Sequence, residues 1–106
     1  MQIEFIDEEL AIARFYEGGK VKNKELKSNG NLQKLFIKTV DRLKSLEKIE
    51  DAFLFKSLNY EKLQGNLSGK SSVRVDIKYR IIFEEIEDEE GKVIILSIEE
   101  LSNHYQ

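Results

Sequence analysis

The sequence predicts an α+β domain, with N-terminal helices packed on one face of a small antiparallel sheet. Three observations carry this reading. Leu32, Leu35, Phe36, Val40, Leu43 and Leu46 recur at helical spacing in the first half. Val73, Val75, Ile77, Tyr79, Ile81 and Phe83 alternate with Arg74, Asp76, Lys78 and Arg80 in the second. Helical and strand patterns do not interleave: helices come first and strands cluster last, which favours segregated layers over βαβ repeats. At 106 residues the chain, residues 1–106, is expected to be one domain with a single modest core.

Gln2 to Ile6 reads as a short strand. Glu8 to Tyr16 holds helix formers with Leu10, Ile12 and Ala13 on one side, and Gly18-Gly19 ends it. Lys20 to Gly30 is lysine-rich, closes in Ser-Asn-Gly, and is expected to be a flexible connection. Asn31 is the expected N-cap of a helix running to about Lys48, with Lys34, Lys38, Arg42 and Lys44 outside. A short helical turn from Ile49 to Phe55 is expected to turn Ala52 and Phe53 inward. Leu58 to Gly69 is a loop punctuated by Gly65 and Gly69. After the alternating run come an acidic strand end and turn, Glu84 to Gly91, and a strand from Lys92 to about Ile98. Val93-Ile94-Ile95-Leu96 is apolar on both faces, as a central strand would be. The tail from Glu99 suits either a strand extension or a helical turn.

The alternating run is too long for one strand in so small a domain, so it must fold back near Asp76-Ile77-Lys78. A three-residue turn there pairs 75 with 79 and 74 with 80 and keeps every odd side chain on one face. A two-residue turn would break that pattern. Arg74 is therefore expected directly across from Arg80, on the face the helices leave open. Like charges directly opposite are destabilising, and an anion such as a phosphate would offset that.

Composition narrows the function. The chain has no cysteine and one histidine, which excludes disulfides, thiol catalysis, thiolate metal sites and multi-histidine metal sites. No apolar run approaches a membrane span, and the acidic start MQIEFIDEEL is unlike a secretory leader. A cytoplasmic protein needing no metal or cofactor is expected. The net charge of −3 conceals segregation: residues 20–83 hold fifteen Lys and Arg against seven acids, and residues 84–106 one Lys against eight acids. A basic centre can hold polyanions even in an acidic chain, although solvated helix faces would give the same count.

The run Leu58-Asn59-Tyr60-Glu61-Lys62-Leu63-Gln64-Gly65, then Gly69, Ser72-Val73-Arg74-Val75 and Tyr79-Arg80-Ile81-Ile82-Phe83, resembles the HigB group of the RelE/ParE toxin superfamily. These are the plasmid maintenance killer toxins of bacterial type II toxin–antitoxin modules. They share a leucine-x-glycine loop, a glycine, an S-x-R-V-type strand and a Y/W-R-I-x-F strand, and end in a short tail with a histidine, which His104-Tyr105 resembles. The similarity covers about residues 55–105.

The resemblance implies a RelE-like fold and a ribosome-dependent mRNA endonuclease, a killer protein or mRNA interferase that blocks translation and growth. It also implies a cognate helix-turn-helix, HigA-like antitoxin, with operator DNA reached only through that antitoxin. Metal-free RNA cleavage needs a base for the 2′-OH proton, positive charge for the crowded phosphate and an acid for the leaving 5′-oxygen. On the family pattern Arg80, with Arg74 in support, would hold the phosphate. His104, which titrates near neutrality when unperturbed, would be acid or base. Glu61 could act as a base, Tyr105 could donate a proton or stack on a base, and Lys62, Lys78 and Tyr60 would contact RNA. The chain departs from the family at two loop positions, carrying Glu61 where a histidine is frequent and Gln64 where a lysine is. Its acidic excess is a further departure. The rival reading is a non-catalytic binder: a ParE-like toxin that poisons gyrase by protein contact, or a weakened toxin kept as an antitoxin-binding regulatory subunit.

Overall fold

The computed structural model describes residues 1–15, 26 and 29–103. Five strands form one sheet: β1 (Gln2–Phe5), β2 (Glu61–Lys62), β3 (Lys70–Arg74), β4 (Arg80–Glu87) and β5 (Val93–Ser102), in the order β1-β5-β4-β3-β2. All neighbours are antiparallel except β1, which lies parallel to β5 with Phe5 beside Ile98. The sheet is antiparallel, as expected, except at that edge. Between β1 and β5 the chain makes its helices and the other three strands, so the return to β1 is a long crossover, which a parallel pairing needs.

Among the described residues, the helices α1 (Glu8–Phe15) and α2 (Gly30–Ser45) cover one face. Leu10 and Ala13 of α1 and Leu32, Phe36, Val40 and Leu43 of α2 join Val73, Ile81, Phe83, Leu96 and Ile98 of the sheet in one core. Each large side chain so buried contributes about 1.5–3 kcal/mol. Leu26 is also buried there, so the lysine-rich connection is not wholly polar in role. The cap of α2 is Asn29, not Asn31: its extended backbone lets Oδ1 accept from the Leu32 amide at 3.1 Å. The helix stops at Ser45, where Leu46 turns extended. Gln33, unexpected in the core, donates to the Ala13 carbonyl at 3.0 Å and ties α2 to α1.

Three 3₁₀ turns follow: Ile49–Leu54, Lys56–Leu58 and Gly65–Leu67. The first turns Ile49 and Ala52 inward, three residues apart as a 3₁₀ repeat requires. Phe53 therefore points outward, 62% exposed, beside exposed Leu54 and Phe55, which corrects the inward expectation. The tail resolves into strand as far as Ser102, and Ile94 is half open, so β5 is not buried on both faces. In the turn at Gly91 between β4 and β5, the acidic stretch is used internally: Asp88 Oδ1 accepts from the Glu90 and Lys92 amides, both at 2.9 Å. Glu84 and Glu99 hold Lys70 at 3.2 and 2.5 Å. Among the described residues no helix is long and apolar enough to cross a membrane.

Candidate functional site

The β3–β4 hairpin has the register that alternation demands. Val73 pairs with Ile81 and Arg74 with Arg80. Asp76 builds the turn, its Oδ1 accepting from the Lys78 amide at 2.8 Å and the Tyr79 amide at 2.7 Å, while the Val75 amide donates to the Tyr79 carbonyl at 2.9 Å. Ile77, an apolar-face position by alternation, sits at the tip, exposed, and Lys78 beside it faces solvent.

The two arginines differ in a way their spacing does not reveal. Arg74 is exposed, its Nε donating to the Asp76 carbonyl at 3.2 Å. Arg80 is only 7% exposed. Its Nε donates to Ser72 Oγ at 2.9 Å, and its Nη2 donates to the Asn59 carbonyl at 2.5 Å. Asn59 adopts a left-handed conformation, φ 43°, which asparagine tolerates better than most residues. This carries the 57–60 segment over the hairpin and presents its carbonyl to the guanidinium. The open-face expectation for Arg80 is thus corrected. Its strand position is as expected, but a loop folds across it.

Glu61 pairs with Ser72, so it leaves the sheet on the same face as Ser72 and Arg80, half-buried. Lys62 pairs with Ser71 and leaves on the helix-covered face, exposed at the edge. Lys62 therefore does not share the Arg80 face, because alternation separates neighbours on a strand. Ser102 of β5 pairs with Arg80, so the chain's last described strand residues lie beside the guanidinium. His104 and Tyr105 fall outside the described residues.

Tyr60 is corrected more sharply. It is 7% exposed, stacked on Phe83 at 6.3 Å and met edge-on by Phe53 at 4.8 Å. Its hydroxyl donates to Glu85 Oε2, which also accepts from Ser71 Oγ at 2.6 Å. Burial, with the Glu85 carboxylate beside it, pushes the phenol well above the ordinary tyrosine range. A ring packed on both sides cannot stack on a nucleobase. Its task is to hold the loop from the helix side while Asn59 holds it from the other. Ser72 and Asn59 are the residues sequence reasoning missed. The only signal was an asparagine between a 3₁₀ turn and a buried aromatic.

The family model described as "RelE-like toxin of type II toxin-antitoxin system HigB" matches residues 3–97. No curated protein sequence matches the chain. Among solved structures, a YoeB/ParE toxin from Agrobacterium tumefaciens is similar at 14% identity and TM-score 0.55, over 99% of this chain and 100% of that one. A YoeB dimer from Staphylococcus aureus is similar at 20% identity and TM-score 0.52, over 99% and 98%. The toxin of a heterotetrameric YoeB–YefM toxin–antitoxin complex from the same organism is similar at 19% and 0.51, over the same shares. At such identities these likenesses show the fold.

Proposed function

Since the chain belongs to the HigB-like family, the RelE-like toxins of type II toxin–antitoxin systems, we propose that it works as a metal-independent endoribonuclease on translated mRNA. As a toxin of that kind its partner is an antitoxin, and a HigA-like helix-turn-helix protein is the proposed form. Residues 1–106 are proposed to act as one cytoplasmic toxin domain.

The observation that carries the reading is the Arg74–Arg80 pair. Two arginines are paired directly across a hairpin, one held fixed beneath a loop and the other open to solvent. An anion between or above them offsets the repulsion. Phosphate suits the planar donor fork of arginine better than it suits lysine. In this reading the exposed Arg74 meets the scissile phosphate. Arg80 supplies charge already oriented by Ser72 and Asn59, so little reorganisation is needed as charge develops. Glu61 shares that face and takes the 2′-OH proton. His104 protonates the leaving oxygen, with Tyr105 alongside. Lys78 at the tip adds long-range attraction, and Lys62 at the edge can at most do the same.

The test is induction of the chain alone in a bacterium, with mRNA 5′ ends mapped with and without translation. New ends that appear only on translated messages are expected. Growth arrest without such ends, accompanied by lost gyrase supercoiling, would replace this reading with that of a non-catalytic ParE-like toxin.

A further inference from the structure

A second cationic site lies on the helix side of the molecule. A cleft of about 200 Å³ opens between α2, the Lys56–Leu58 turn and the end of β3. Lys38, Arg42, Arg74, Thr39 and Ser57 line it around an apolar floor, and among the described residues no carboxylate does. Lys38 and Arg42 stand four residues apart on one helix face, a like-charge spacing that costs a helix about 0.2–0.5 kcal/mol. Arg74, at the end of β3, lies at the cleft's edge, its Nε held by the Asp76 carbonyl. Among the described residues none of the three forms an ion pair.

The donors have a definite character. Thr39 spends its hydroxyl proton on the Leu35 carbonyl at 2.7 Å, so it offers only an acceptor. Ser57 accepts from Arg42 at 3.4 Å and keeps its own proton to give. The Arg42 guanidinium, the Lys38 ammonium and the Ser57 hydroxyl thus line one space. A carboxylate, with two oxygens, would satisfy only part of that set. A phosphate, with more oxygens spread tetrahedrally, uses more of it. At the lip, Arg42 lies 4.9 Å over the Phe55 ring, and Phe53, Leu54 and Phe55 form a continuous exposed apolar segment. Cations interleaved with exposed aromatics suit a single-stranded nucleic acid, whose phosphates and base faces alternate.

We propose that this cleft holds a backbone phosphate of single-stranded RNA away from the cleavage point, with the adjoining base against the Phe53–Phe55 segment. The inference rests on the reading of the chain as an RNA-directed toxin. Only the Ser57–Asn59 segment separates the cleft from Arg80: Ser57 faces the cleft while the Asn59 carbonyl faces the guanidinium. One strand could therefore span both.

The test is binding of a fluorescent single-stranded RNA, read by anisotropy over a salt series, with the full chain and a Lys38→Gln/Arg42→Gln variant. Glutamine keeps most of each stem, and a thermal melt within experimental error of the parent confirms folding. RNA affinity is expected to fall about tenfold, and the slope of log K against log salt to shrink by about 0.7 for one lost phosphate contact. A Lys38→Arg/Arg42→Lys variant, with charge kept, should bind like the parent. Unchanged affinity and slope in the glutamine variant would overturn the proposal. So would unchanged RNA binding with weakened antitoxin binding, which would make the cleft a protein-docking site. Neither result bears on whether the parent cuts translated mRNA, which the 5′-end mapping decides separately.

Discussion

Replacing Arg80 by alanine should damage the fold as well as the function, and the two effects can be sized. The side chain bridges three pieces of chain, with Nε on Ser72 Oγ at 2.9 Å and Nη2 on the Asn59 carbonyl at 2.5 Å, at 7% exposure. A hydrogen bond from a charged donor contributes about 1.5–3 kcal/mol, and the deserted acceptors keep part of their desolvation cost. Losing these two bonds alone should therefore cost about 3–6 kcal/mol, a large share of the roughly 5–15 kcal/mol that stabilises a domain. At roughly 4–5 °C per kcal/mol for a domain of about a hundred residues, this is a fall in Tm on the order of 12–30 °C. Urea unfolding and thermal melts measure it directly. Growth arrest should be scored beside Ser72→Ala, which releases one bond, costs about 1–2 kcal/mol and keeps the guanidinium. Arrest lost in an Arg80→Ala protein whose melt shows it still folded at the growth temperature, but kept in Ser72→Ala, assigns the arginine a part in the reaction. A Tm for Arg80→Ala within about 2 °C of the parent would refute the bridging role, since even one such bond shifts it further.

Two more outcomes are expected. Tyr60→Phe removes a donor to Glu85 and should cost about 1.5–3 kcal/mol at neutral pH. Because the Tyr60 phenol is raised above its ordinary value of 10.0, its contribution is fully present below that pH and is lost as pH climbs through the folded-state value. The gap between parent and variant in urea unfolding should therefore close on the alkaline side, and a constant gap up to about pH 11 would refute the linkage. His104→Gln should slow cleavage of translated mRNA by at least about tenfold, in line with general acid–base contributions. Equal rates would make His104 a bystander.

Much of the hairpin was legible because its constraint is local. Alternation permits one turn length at Asp76–Lys78, and that length puts Arg74 opposite Arg80. The fate of Arg80 was illegible because a distant loop decides it. Nothing around residue 80 indicates that Asn59 will turn left-handed and lay its carbonyl there. Tyr60 failed in the same way. Its place under Glu85 depends on a residue twenty-five positions on, inside a run that reads as an acidic surface. Phe53 was misplaced by periodicity: a 3.6-residue repeat brings it inward with Ala52, whereas the 3₁₀ turn admits Ile49 and Ala52. For the helix cap, two asparagines flank Gly30, and only the observed backbone selects the first. The parallel placement of β1 is a matter of topology, which no strand pattern encodes.

Strand β4 begins at Arg80 and ends at Glu87, so it spans about 23 Å at the usual rise per residue. Arg74, Lys78 and Arg80 stand at one end, and Glu87, Glu89 and Glu90 at or just beyond the other. Among the described residues, the two ends of this strand therefore carry opposite charge. In the proposed RNA-directed role, that polarity would turn the hairpin tip toward a polyanion before contact. The acidic end then acts as a rudder: neutralising Glu87, Glu89 and Glu90 would make the chain more basic overall yet less selective in how it arrives.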